Sequence, residues 1–443
     1  MSERRANPSA VIEWICVATV FLGVLFVTAY TQKPLTYQRG HGWDGVEYYA
    51  MAQDFAACRA PAGITPFVNR IASPILAASL SPRDPMRGFR ILNIFASVLT
   101  AVLFSVWLKY HLTDWRVRVL MLFLYLTCLV SPFRNSFFYP VTTDTLTHLG
   151  IITGVLLLYH LEHRSPRVAG ICMACFGASA VPVREVMIVF SCAVFFLGNP
   201  LSADRKSLLG VRLKRWPSPW LLLPIVVSGL TFYLIRHWVV TRPGWYSLAS
   251  HTVWALYNKS LLQYLLGWFI TYGPMLSLVL WKWRDSVEYL RVRQVQAALL
   301  LAVTALGWIA GTDTERFLIW AFPIVLVLVG RVIERNLWVF RMPLILLVFV
   351  LTQALSQRYF WPLPDYPPAE PLRHPWVVLS AWGMRINVLD LYSYHASKFV
   401  SFPAFVEYSV LAFGLVVCLR YAEMRRAEAN LLSAGAARGQ EGA

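Results

Sequence analysis

Long apolar runs, interrupted by short clusters of charge, fill the chain almost from end to end. A helix needs about 20 apolar residues to cross the hydrocarbon core of a bilayer. Such runs predict spans near 11–30, 90–108, 117–133, 144–161, 168–182 and 185–199. Others follow near 218–239, 260–281, 294–311, 316–333, 341–356 and 404–421. The expected architecture is all-α, a polytopic transmembrane helical bundle of about 12 spans.

Two connections are long, and both fall on the same predicted side. Residues 31–88 separate the first two spans and contain two amphipathic stretches, 46–57 and 66–80, suited to lie in the interface plane. Residues 357–403 are rich in Pro, Trp and Tyr and precede the last span. The chain thus divides into a transmembrane module over 1–356, an external loop over 357–403, and a final span with its tail over 404–443.

Composition agrees with a chain dissolved in lipid. Of 443 residues, 57% are hydrophobic and 14% charged, where a soluble domain averages about 25% charged. The net charge of +17 comes from loops bearing Arg4/Arg5, Lys109/Arg116/Arg118, Arg164/Arg167 and Arg205/Lys206/Arg212/Lys214/Arg215. It continues at Lys282/Arg284/Arg291/Arg293, Arg331/Arg335 and Arg425/Arg426. These loops alternate as the positive-inside bias requires for both ends in the cytoplasm, and they predict a multi-pass protein of a cell inner membrane. The basic charge is assigned to membrane lipids, because no stretch resembles a nucleic-acid module. Residues 1–8 precede an apolar run of transmembrane length without an Ala-x-Ala-like site, which reads as a signal anchor. Of the seven cysteines, Cys172 and Cys175 have CxxC spacing, but the segment around them lacks further ligands.

Polar groups that lipid would penalise mark functional positions in membrane proteins. Here they collect at the predicted external helix ends. The first long loop carries Asp44 and Glu47 with Tyr48, flanked by Gly42 and Gly45, and further on Arg70. Asp44 is equally placed to cap the helix starting at Val46. Arg134 and Asp144 bracket the turn between the third and fourth spans, where Asp144 is also a plausible cap. Arg184 and Glu185 stand together between the fifth and sixth, placed to pair with each other or with a ligand. Asp313 and Arg316 lie in the turn before the tenth. Arginine's planar fork suits phosphate oxygens, and a carboxylate within about 3 Å of a hydroxyl can act as general base.

At these residues the chain resembles the GT-C superfamily of membrane glycosyltransferases. The run GWDGVEYYAMAQDF, followed by NRIASPILAASL and FRILNIF, is similar to bacterial members with a DG-x-x-Y-Y-x-x-A stretch and a later R-x-x-x-P-x-L stretch. VREVMIVF and GTDTERFLIWAFPIVL resemble their RE and D-x-x-R turns. The resemblance implies an external active site, a polyprenyl-phosphate-linked sugar as donor and a glycan, lipid or protein as acceptor. It implies Asp44 as catalytic base with inversion at the anomeric carbon. Glu47, Tyr48, Arg70, Arg134, Asp144, Arg184, Glu185, Asp313 and Arg316 then become candidate substrate contacts. Some relatives use an Asp-x-Asp pair with a divalent metal; this sequence has no such pair there, so no metal and no other cofactor is expected. The competing classes are a ligase or polymerase of lipid-linked glycans, a lipid or glycan flippase, and a non-catalytic scaffold. Ion-coupled transport would call for ionisable groups at mid-membrane, which are nearly absent, although Pro274 and Pro323 stand where they can break helices.

Overall fold

The computed structural model describes residues 8–197, 201–203, 211–213, 218–244, 247–259, 261–309, 314–359, 362–363, 365 and 402–441. α1 (Pro8–Thr31) leads into a loop carrying α2 (Gly45–Ala56) and α3 (Ala72–Leu80). Next come α4 (Pro85–Lys109), α5 (Trp115–Thr127), α6 (Pro132–Phe138), α7 (Asp144–Leu161) and α8 (Pro166–Ala180). They are followed by α9 (Ile188–Ala193), α10 (Leu223–Trp238), α11 (Leu248–Asn258), α12 (Leu261–Tyr272) and α13 (Leu276–Trp281). The chain continues through α14 (Trp283–Val292), α15 (Gln294–Ile309), α16 (Thr314–Leu318) and α17 (Phe322–Arg335). It ends with α18 (Leu337–Phe340), α19 (Pro343–Ser356) and α20 (Phe402–Glu441).

Among the described residues, seven helical segments are long and apolar enough to cross a membrane. They are Ala10–Thr31, Pro85–Lys109, Trp115–Phe138, Asp144–Leu161, Pro219–Trp238, Tyr264–Trp281 and Thr314–Arg335. The pair α14 and α15, bent by 115°, makes an eighth if taken together. Glu185–Phe196 and Pro343–Ser356 are apolar but shorter. The chain is an all-α membrane protein.

Local sequence explains where several helices begin. α4, α6 and α8 each open on proline, which suits a first helical turn that has no use for its N–H. Asp84 and Ser165 cap two of these starts by accepting the N–H groups of Arg87 and Val168.

Lipid tails are as apolar as leucine, so helices in a bilayer associate by close packing and polar contacts. A methyl group on Gly88 of α4 would collide with the Ala77 carbonyl of α3. Gly177 of α8 has no room for one against Ser228 of α10, whose hydroxyl is 2.7 Å from that of Ser191 in α9. At the end of the bundle away from α2, ion pairs join the helices. Glu13 of α1 accepts from Arg118 at 2.8 Å through both oxygens and lies 3.4 Å from Lys109. Lys282 reaches Glu423 of α20 at 2.7 Å.

The span from Tyr264 to Trp281 is broken at Gly273–Met275, where Gly273 has φ +69 and Pro274 follows. In hydrocarbon the released backbone groups need protein partners. Gln353 of α19 supplies them: its Nε2 donates to the Tyr272 carbonyl at 2.9 Å, and its Oε1 accepts the Met275 N–H at 3.1 Å. Gln357 Nε2 adds a bond to the Ile270 carbonyl at 3.2 Å. An unpaired buried polar group costs about 1–3 kcal/mol. Gln353→Leu, which removes two such partners, is therefore expected to destabilise the detergent-solubilised protein by about 2–4 kcal/mol. The midpoint of thermal unfolding measures it, and a midpoint equal to that of the parent would contradict this role.

Candidate functional site

Four chain turns meet at the end of the bundle that carries α2. The chain enters α2 flat against the ring of Tyr139. Gly42 sits at φ +69 with no space for a side chain against that ring, and a Cβ on Gly45 would lie 2.8 Å from the Tyr139 hydroxyl. That hydroxyl accepts the Gly45 N–H at 2.5 Å. Burial holds the Tyr139 phenol well above its ordinary pKa, so it remains a neutral hydroxyl. This clasp fixes Asp44 between the two glycines. Asp44 precedes α2, but its side chain makes no capping hydrogen bond. One of its carboxylate oxygens lies instead 3.7 Å from Nη1 of Arg316.

Arg316 extends from the first turns of α16 to a second acid. Its Nη2 and Nε donate to Oδ2 of Asp144 at 2.9 and 3.1 Å. Oδ1 of Asp144 accepts from Arg184, whose guanidinium lies 4.9 Å over the ring of Trp320. Asp144 is the first residue of α7 rather than the residue before it, and its carboxylate serves arginines instead of the helix end. With an arginine on each oxygen it is not open to take a proton from a hydroxyl.

Arg184 and Glu185 do not pair with each other. Glu185 accepts from Nε and Nη2 of Arg70 at 2.9 and 2.5 Å. The buried Arg70 also donates to the Tyr48 hydroxyl at 2.9 Å. Tyr48 lies one helical turn after Asp44, on the same face of α2. Burial raises its pKa and keeps its proton in place. The side chains thus run from Glu185 through Arg70 to the helix that bears Asp44.

Two other candidates lie elsewhere. Glu47 turns to the flank, where Oε2 takes Arg242 at 2.8 Å and the Ile64 N–H at 3.2 Å. Arg242 follows Val240–Thr241, which pairs in parallel with Ala62–Gly63. Arg134 is buried and donates to the carbonyls of Gln357 and Arg358, both at 2.8 Å, so it joins chain segments rather than the acid cluster. Asp313 lies outside the described residues. Asp44, Tyr48, Arg70, Asp144, Arg184, Glu185 and Arg316 do come together. The structure adds Tyr139 and Trp320, which stand in aromatic-rich stretches with nothing local to single them out. Among the described residues no group of three His, Cys, Asp or Glu side chains is placed to hold a metal ion.

The arrangement therefore separates two acids. Asp144 holds two arginines, while the Asp44 carboxylate lies 3.7 Å from Arg316 and keeps 29% of its side chain exposed against 17% for Asp144. Comparison with protein-family models, curated proteins and solved structures gives no significant match.

Removing one partner of a buried ion pair costs about 3–5 kcal/mol, and partial exposure reduces that. Asp144→Ala is expected to destabilise by about 2–3 kcal/mol, and Asp44→Ala by less than about 1 kcal/mol, since no cap is lost. Denaturation of the two purified variants side by side decides it; equal losses would make Asp44 structural.

Proposed function

We propose that the chain is an inverting membrane glycosyltransferase of the GT-C type. It moves a sugar from a polyprenyl-phosphate donor to a hydroxyl of a glycan, lipid or protein acceptor at the external face. The observation that carries this reading is the partly exposed Asp44 carboxylate beside Arg316, where four turns meet. Asp44 takes the proton of the acceptor hydroxyl while that oxygen bonds the anomeric carbon. The bond from that carbon to the phosphate oxygen breaks, and its electron pair leaves with the phosphate. Arg316 and Arg184 face the charge that grows there, a task suited to guanidinium forks. Asp144 keeps both forks in place, and Arg70 with Tyr48 and Glu185 holds α2. Single displacement from the side opposite the phosphate inverts the sugar carbon.

Purified protein supplied with radiolabelled polyprenyl-phosphate hexoses and a membrane extract is expected to transfer label. Loss of a general base lowers rate by about 10²- to 10⁴-fold, the fall expected for Asp44→Asn. Arg316→Lys keeps the charge but loses the fork and should fall by about tenfold or more with folding intact. Turnover of Asp44→Asn within a few-fold of the parent would remove Asp44 from the chemistry.

The same reading sets the protein in a cell inner membrane, with about 12 passes and both termini in the cytoplasm, on the alternation of Lys and Arg between loops. A reporter active only outside the cytoplasm is expected to score external when fused after Ala60. Fused after Arg215 or at the C-terminus it should score cytoplasmic. A reversed signal at Arg215 would contradict this topology.

A further inference from the structure

The far end of α17 presents a different kind of site. Arg331 stands about 22 Å along the helix axis from Arg316, at 1.5 Å per residue. Arg331 and Arg335 are one turn apart on α17, and Asp285 and Tyr289 are one turn apart on α14, so two matching faces meet. Arg335 lies 3.7 Å from Asp285, and the Arg331 guanidinium lies 4.4 Å over the ring of Tyr289. Among the described residues Arg331 forms no ion pair. Its neighbour Glu334 already accepts the N–H of Thr113 at 2.7 Å and that of Asp114 at 2.5 Å.

The surrounding cations are loosely held. Arg335 and Asp285 are both about half exposed at 3.7 Å, and Arg293 meets Glu162 at 3.3 Å. Charge-assisted bonds normally close to about 2.7–2.9 Å, as Arg118 with Glu13 and Lys282 with Glu423 do at this same end. The nearby acids have other partners, Glu334 on the Thr113 and Asp114 backbone and Asp285 beside Arg335. His111 shares a 2.8 Å hydrogen bond with the Tyr289 hydroxyl, and burial with the charges of Arg293 and Arg331 pushes its pKa down to about 3. Arg331 therefore has an aromatic floor, two further guanidiniums within electrostatic reach, and within that reach one carboxylate, Glu334, which is already engaged by the backbone of Thr113 and Asp114.

Its position selects the source of one. α14 turns 115° from α15, so if α15 crosses the bilayer, α14 runs along its surface. Trp283, Val287 and Val292 of α14 are exposed, as is Leu280 just before it, as an in-plane helix facing acyl chains requires. Arg331 beside this helix lies at headgroup depth. We propose that Arg331, flanked by Arg335 and Arg293, binds the phosphate of an anionic phospholipid in the leaflet on this side of the bundle. Here a planar fork over a tyrosine face meets a phosphate that the membrane itself supplies.

Native mass spectrometry of the full chain in neutral detergent, titrated with phosphatidylglycerol or phosphatidylcholine of equal chain length, tests the site. The parent is expected to hold phosphatidylglycerol about tenfold tighter, the ratio of one charge-assisted contact. Arg331→Gln should abolish that preference. Arg335→Gln, at a half-exposed position that folding does not depend on, should reduce it about threefold and decides the matter if Arg331→Gln fails to fold. Equal affinity for both lipids in the parent, or an unchanged preference in both variants, overturns the proposal. So does displacement of phosphatidylglycerol by millimolar inorganic phosphate, which would mark a site for soluble anions. No arm uses a sugar donor, so the outcome is independent of the transferase reading.

Discussion

A charge at the edge of hydrocarbon cannot rely on water, and must find its counter-charge within the fold. Asp144 meets that requirement for two arginines at once. Arg184 and Arg316 are 40 and 172 residues from it in sequence, and both end on its carboxylate. The end of α8, the start of α7 and the start of α16 must consequently stand at one level. α2 joins them through Arg316 and, separately, through Tyr48 and Arg70. Glu13 applies the same rule at the opposite end, where it gathers Arg118 and Lys109.

This constraint separates holding from acting. A residue that satisfies two arginines is committed to them, so Asp144 belongs with the supports, together with the pair of Arg70 and Glu185. Asp44 is held by other means. Its backbone is fixed by the fit of Gly42 and Gly45 to Tyr139, which leaves its carboxylate out of the capping of α2. Rigid supports around a more exposed acid are what a preorganised reactive group needs.

Most of the helices were legible from the residues, because hydrocarbon demands apolar runs, but their lengths were not. Among the described residues seven segments, or eight with the bent pair, are long enough to cross where about twelve were expected. The four turns were legible for the converse reason, since charge beside a span stands out. The pairings were not. Arg184 and Glu185 read as possible partners of each other, yet Arg184 is extended, with φ −162 and ψ 134, and neighbours on extended backbone point to opposite sides. Arg134 looked like another cation at the site end, but its acceptors are carbonyls 223 and 224 residues away, which carry no side-chain signature. Tyr139 is one aromatic in a stretch full of them, and only the two glycines hinted that something large lies against that loop. The long connection at 357–403 falls almost wholly outside the described residues.

The divergence at Arg184 and Glu185 carries a consequence for descent. Positions 70 and 185 form one couple, and 144 with 184 the other. A lineage can reverse the signs at 70 and 185 if both members change together, whereas the same reversal at 144 and 184 would set an arginine against Arg316. Exchanging 184 with 185 leaves composition and net charge untouched, yet it sets acid against acid at 144 and arginine against arginine at 70. The order of this dipeptide is therefore heritable information that no count of its charges records.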